Sequence, residues 1–133
     1  MQQFYGFQFD KINLGYSKIK PKQEGLILDA VIVFTTTPTF KDAEKISSVL
    51  VEEKLAACVS IIGEATSTFN WEGKIEKEKE YVLMIKTRKS LFNKVLDRIK
   101  KLHPYKVPEI IASEVISGNP EYLKWIEETT KEG

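Results

Sequence analysis

Cysteine and histidine are nearly missing from this chain: Cys58 and His103 are the only ones. A single cysteine rules out an internal disulfide, and one of each cannot supply a four-ligand zinc site from one chain. Cys58 lies in Leu55-Ala56-Ala57-Cys58-Val59, an apolar setting where a free thiol acts as a small hydrophobe and, once buried, a poor nucleophile. Such usage is compatible with a reducing compartment, and a cytoplasmic location is the expectation. Glycine is scarce at seven residues, and no G-x-x-x-x-G-K phosphate loop occurs. No apolar run approaches the roughly 20 residues that a membrane-spanning helix needs. Neither sign of charge dominates, the formal net charge being +1. That balance gives no electrostatic case for nucleic acid or an anionic membrane. No nucleophilic triad can be drawn either, because the one His and the one Cys fall on segments with unrelated predicted faces. An enzyme is therefore not expected.

What is present is an ordinary globular composition, 42% hydrophobic and 29% charged over 133 residues. That is enough for one domain with a real core. Residues 1–28 stand apart as an N-terminal extension. Phe4-Tyr5-Gly6-Phe7-Gln8-Phe9 is aromatic, and the rest holds four lysines without periodicity. It has no signal-peptide pattern, and with no Arg and one Ser it does not have the Arg- and Ser-rich make-up of organelle-targeting segments. An added tail, a flexible arm and an aromatic strand packed on a neighbour all remain open for it. The folded domain spans residues 29–133.

Regular patterning starts there. Ala30-Val31-Ile32-Val33-Phe34-Thr35 is a β-branched run typical of a buried strand. A helix follows, capped by Thr39 with Asp42 three positions on, and Ala43, Ile46, Val49, Leu50 and Leu55 form its inner stripe. Cys58 to Ile62 and Thr66 to Trp71 are extended chain with a bulge at Gly63. Glu72-Gly73 turns into a strong strand from Lys74 to Arg88. The alternating run from Glu76 to Glu80 is expected as a solvent-facing edge that discourages strand pairing. Ser90 is expected to cap a second helix with Leu91, Val95, Leu96, Ile99 and Leu102 inward. A fourth strand is predicted from Glu109 to Ile116, and a last helix from Glu121 to Thr130 led by Pro120. The fold class is α+β: a ferredoxin-like β-α-β-β-α-β order with a C-terminal helix. Right-handed crossovers put both main helices on one face of the sheet. The other face carries apolar side chains that a lone domain cannot cover, so association between copies is expected.

Candidate functional residues gather at strand ends. Leu102-His103-Pro104-Tyr105-Lys106-Val107-Pro108-Glu109 holds the only histidine, two helix-breaking prolines, a tyrosine and a carboxylate on one stiff connection. His103 fits either a residue drawn to a helix C-terminus by the dipole or a single metal ligand. Trp71 and Glu72 at the hairpin, Lys86 on the third strand, Tyr105, Glu109 and Trp125 complete a candidate ligand cleft. The alternatives are a solvated turn for Glu72 and packing, at a subunit interface above all, for Trp71 and Trp125.

Five blocks resemble the CutA divalent-cation tolerance proteins. They are Leu55-Ala56-Ala57-Cys58-Val59, Trp71-Glu72-Gly73-Lys74-Ile75-Glu76, Ile85-Lys86-Thr87, His103-Pro104-Tyr105 with Pro108-Glu109-Ile110-Ile111, and Gly118-Asn119 with Tyr122-Leu123-Lys124-Trp125-Ile126. The match runs from about Asp29 to Glu128 and leaves the first 28 residues outside. The resemblance implies a PII-like homotrimer with long hairpin strands pairing across subunits. It also implies tolerance and binding of divalent metals, copper especially, in a binding or signalling role. A structural or scaffolding trimer with no physiological metal is the alternative. Some bacterial members carry a cysteine where Thr35 stands and a second histidine where Leu102 stands, so only His103 of that copper set is present. One imidazole binds weakly and unselectively unless carboxylates or other subunits contribute, and Lys106 adds positive charge beside it.

Overall fold

A computed structural model describes residues 29–132, so the expectation for residues 1–28 falls outside the described residues. The chain runs β1 (Ala30–Thr37), α1 (Phe40–Glu52), β2 (Cys58–Trp71), β3 (Lys74–Arg88), a 3-10 turn (Lys89–Leu91), α2 (Phe92–Leu102), β4 (Ile110–Glu114) and α3 (Pro120–Thr129). The β-branched first run becomes a central strand, antiparallel to β3 on one side and to β4 on the other. The strand order is β2-β3-β1-β4, which is the split βαβ arrangement.

Strand alternation sorts the side chains onto two faces. Val31 and Val33 of β1 and Leu83 and Ile85 of β3 point to one side. There they are buried against Ala43, Ile46 and Leu50 of α1 and Val95 and Ile99 of α2. Both helices therefore cover the same face. Each of these Leu and Ile side chains contributes about 1.5–3 kcal/mol by leaving water.

The second face is largely open. Cross-strand partners form three rows: Ile111-Phe34-Met84-Ser60, Ser113-Ile32-Lys86-Cys58, and Thr36-Val82-Ile62. It is covered at its two ends: Thr36 and Glu80 are buried at one, and Ile126 of α3 packs on Ala30 and Ala57 at the other. Arg88 fixes α3 there by donating to the Glu127 carbonyl at 2.5 Å and to Thr130 Oγ1 at 2.8 Å. The first of these bonds supplies a partner to a carbonyl that the helix end leaves unpaired. Elsewhere apolar groups stay in solvent, Ile111 at 56% and Ile62 at 51% exposure.

The Thr39 cap and the Pro120 start of α3 follow the sequence, Asn119 adds a cap to α3, and the start of α2 departs from expectation. Thr39 Oγ1 accepts the Asp42 amide at 3.0 Å, and Asn119 Oδ1 accepts the Glu121 amide at 2.9 Å. Ser90, however, does not cap α2. The chain takes a 3-10 turn over Lys89–Leu91 instead, and Leu91 precedes α2 with no side-chain cap. Leu91 is wholly buried, so that turn directs an apolar anchor into the core.

Past the end of β1, strands β2 and β3 continue alone as a two-stranded ribbon. β1 pairs with β3 only as far as Tyr81, whereas β2–β3 pairing runs on to Trp71 and Lys74. Glu72 (φ 52°) and Gly73 (φ 84°) close it with two successive left-handed residues, the hallmark of a type I′ turn. At the ribbon's base the register shifts between Ile62 and Ala65. Gly63 lies in that bulge against the Tyr81 ring, and a Cβ there would stand 2.1 Å from Tyr81 Cδ2. The run from Glu76 to Glu80 is not the uniform solvated edge expected of it. Alternation divides it between two faces, and Glu80 is buried.

Candidate functional site

His103 ends α2, its amide donating to the Ile99 carbonyl at 2.8 Å. Its backbone is already extended (φ −80°, ψ 138°), as Pro104 requires of the residue before it. The ring is thereby turned inward and buried. Nε2 lies 2.6 Å from the Thr36 carbonyl oxygen, which can only accept, so Nε2 carries the proton. Nδ1 then accepts the Tyr105 amide at 3.0 Å. Both nitrogens of a neutral imidazole are thus engaged, and neither offers a lone pair to a metal in this arrangement.

Tyr105 extends the cluster. Its ring centroid lies 4.9 Å from that of His103, and its hydroxyl donates to Glu80 Oε2 at 2.9 Å. Thr36 Oγ1 donates to the same oxygen at 3.4 Å. Burial, reinforced by the bond to Glu80, pushes the Tyr105 hydroxyl up to about 12, so it stays a donor at neutral pH. Thr36 ties the cluster to β1 twice, through its carbonyl and through its hydroxyl.

The remaining candidates lie elsewhere. Lys86 sits on the open face, with Nζ 3.4 Å from Ser60 Oγ and 3.9 Å from Cys58 Sγ. Trp71 and Glu72 are at the ribbon tip, beyond the six residue steps of β3 from Glu80 to Lys74, or about 20 Å of strand. Glu109 is exposed just before β4. Trp125 is 40% exposed on α3 and lies against Tyr122, with ring centroids 5.4 Å apart. Within one chain, therefore, only His103 and Tyr105 meet. Among the described residues no three His, Cys, Asp or Glu side chains converge as a metal site, and the groups of a single chain do not fit a divalent ion. Thr35, at the position the family resemblance links to copper, faces the core with a buried hydroxyl that has no hydrogen-bond partner.

Sequence reasoning missed Glu80 and Thr36. Strand parity carries a signal for Glu80, since it shares its face with Val82, Met84 and Lys86 and not with Lys77 and Lys79.

No described helix is long and apolar enough to cross a membrane. The family described as CutA1 divalent ion tolerance protein matches residues 31–129. The Divalent-cation tolerance protein CutA of Thermus thermophilus is 44% identical over 99 residues, covering 74% of this chain and 96% of that one. Protein CutA, chloroplastic, of Arabidopsis thaliana is 35% identical over 115 residues; the match covers 86% of this chain but only 63% of that relative's length. A solved structure described as the periplasmic divalent cation tolerance protein CutA of Archaeoglobus fulgidus is 41% identical, with a TM-score of 0.75 over 77% of this chain and 99% of that one. Matched in sequence along residues 31–129 and in fold across the same sheet and helices, this chain belongs to the CutA1 divalent ion tolerance protein family.

Proposed function

We propose that this chain works as a PII-like homotrimer that takes a divalent cation, copper foremost, in clefts between its copies, as a binding or signalling module and not as an enzyme. The observation that carries this reading is the open second face. Rows of Phe34, Met84, Ile32, Val82, Ile62 and Ile111 form one contiguous apolar surface, which soluble monomers seldom present. Association would also explain why the cleft candidates are scattered in one chain. Trp71 and Glu72 at a ribbon tip can join Tyr105, Glu109, Lys86 or Trp125 only if the ribbon reaches another copy. Tolerance of divalent ions, named for the family, supports a cation as the ligand, and carboxylates from several copies would supply the hard oxygen donors that single chains lack. A cytoplasmic location belongs to the same proposal and is checked by cell fractionation. Calorimetric titration of Cu(II) into the parent and into His103→Ala tests the metal reading. Saturable binding that weakens in the variant supports His103 as a ligand, which would require its ring to release the Tyr105 amide. Identical isotherms remove His103, and no heat in either removes copper.

The engagement of both His103 nitrogens favours a second reading, a structural trimer whose histidine serves only to lock the loop after α2. In that case copper produces no saturable heat, while Trp71→Ala weakens the assembly in sedimentation. A trimer of unchanged stability in that variant counts against it.

A further inference from the structure

Two aromatic rings of α3 stand in solvent, away from the side of the helix that covers the sheet. Tyr122 and Trp125 lie against one another and stay 42% and 40% exposed, whereas Leu123 and Ile126 pack with Ala30 and Val115. Helical spacing sets Glu121, Trp125 and Glu128 in one line, at i, i+4 and i+7, with Tyr122 beside it. Both glutamates are exposed. Among the described residues the ion pair on this side is Lys124 with Glu128, at 3.9 Å and exposed on both sides, a kind that contributes little. The outer side of α3 is therefore an aromatic pair bordered by carboxylates.

Residues 1–28 have the matching chemistry. They hold Phe4, Tyr5, Phe7 and Phe9, and they hold Lys11, Lys18, Lys20 and Lys22 against Asp10 and Glu24. They also join the fold beside α3, because Ala30, one residue after Asp29, packs with Ile126. A small cleft lined by Ala30, Val115 and Ile116 opens at that point. Phe9 stands 20 positions before Asp29, and a coil of that length spans about 25 Å. The ten residues of α3 are about 15 Å long, so its whole outer side is within reach.

We infer that residues 1–28 dock on α3 of their own chain, with Phe4, Tyr5, Phe7 and Phe9 against Tyr122 and Trp125 and the lysines toward Glu121 and Glu128. Ring-on-ring packing and an ammonium over an indole both suit this surface. Tethering makes the contact intramolecular, so modest attraction suffices. The inference goes beyond the assembly proposed above and does not depend on it.

Acrylamide quenching of tryptophan fluorescence in the full chain tests it. Trp71 and Trp125 are the only tryptophans, so Trp71→Phe leaves Trp125 as the sole emitter. A second chain adds Phe4→Ser, Tyr5→Ser, Phe7→Ser and Phe9→Ser, all outside the described fold. Stacking covers much of a ring's open surface, so these four changes should raise the quenching constant about twofold. A carbodiimide joins an amine to a carboxylate in contact with it. Applied to a mixture of isotopically light and heavy parent protein, it should link the lysines of residues 1–28 to Glu121 or Glu128 within one chain. Equal quenching in the two chains overturns the inference, whether Trp125 is open in both or covered in both by another copy. Links that join light to heavy chains overturn it too, since they place the segment on a second copy. So do links confined to carboxylates outside α3, or no links at all.

Discussion

Tyr105 holds the loop after α2 to the sheet through one hydroxyl, and that hydroxyl is the donor to a buried carboxylate. Tyr105→Phe leaves Glu80 with the longer bond from Thr36 alone, and it should destabilise the fold by about 1.5–3 kcal/mol, as hydrogen bonds to charged groups do. The same residue predicts a pH effect. Its folded value, about 12, lies above its ordinary value of 10.0, so the unfolded chain loses this proton first. The contribution is complete below pH 10 and falls as pH rises from 10 towards 12. Urea unfolding at pH 8, 10 and 11 should show a decline in the parent that is smaller in Tyr105→Phe; equal declines would assign the alkaline loss to other groups. Thr35 is the opposite case. Its hydroxyl is buried without a partner, and such a group costs free energy relative to an apolar one of the same shape. Thr35→Val should raise stability by about 1 kcal/mol, read from the urea midpoint at unchanged m-value. A loss instead would mean that the hydroxyl has a partner in solution.

At the scale of elements, the ribbon depends on a glycine at its base. A Cβ on residue 63 would enter the Tyr81 ring, which is the side chain of β3 that β1 pairs with last. Gly63→Ala must displace that ring or the bulge, at a cost of about 1–3 kcal/mol, seen as a lowered unfolding midpoint; an unchanged midpoint would show that the ring yields freely. Most elements were legible in the sequence for local reasons. The β-branched run of β1, the Thr39 cap and the Pro120 start each depend on neighbours a few residues away. The bulge at Gly63 and the turn at Glu72-Gly73 were legible because glycine marks unusual backbone. Failures came where distant chain decides. Whether Ser90 or Leu91 organises the start of α2 depends on a core pocket built by β1, β3 and α1. The sequence could bring His103 and Tyr105 together on one connection, but not Glu80 and Thr36, which lie 25 and 67 residues from their respective partners in the cluster. Charge composition alone also made the run from Glu76 to Glu80 look uniform, because only a known register assigns its two faces.

For the whole molecule, the question is what covers the second face, and Ile111 isolates it. In one chain this side chain is 56% exposed on β4, the short edge strand, beside Phe34. A lysine there can extend into water, and exposed substitutions of that kind change stability by no more than about 0.5 kcal/mol. In an assembly that buries the Phe34 row, the same ammonium would lose its hydration against apolar neighbours, and none of its cross-strand partners in that row, Phe34, Met84 and Ser60, is a carboxylate. Ile111→Lys should therefore spare the helical and strand signal in circular dichroism while abolishing the oligomer in sedimentation. Mass action adds a second signature: the parent's unfolding midpoint should rise with protein concentration, and the variant's should not. A variant that assembles like the parent would place the contact away from this face, and the ribbon alone would then have to hold the copies together. Loss of assembly in Ile111→Lys with the fold kept would instead assign the strength of the contact to apolar burial on this face.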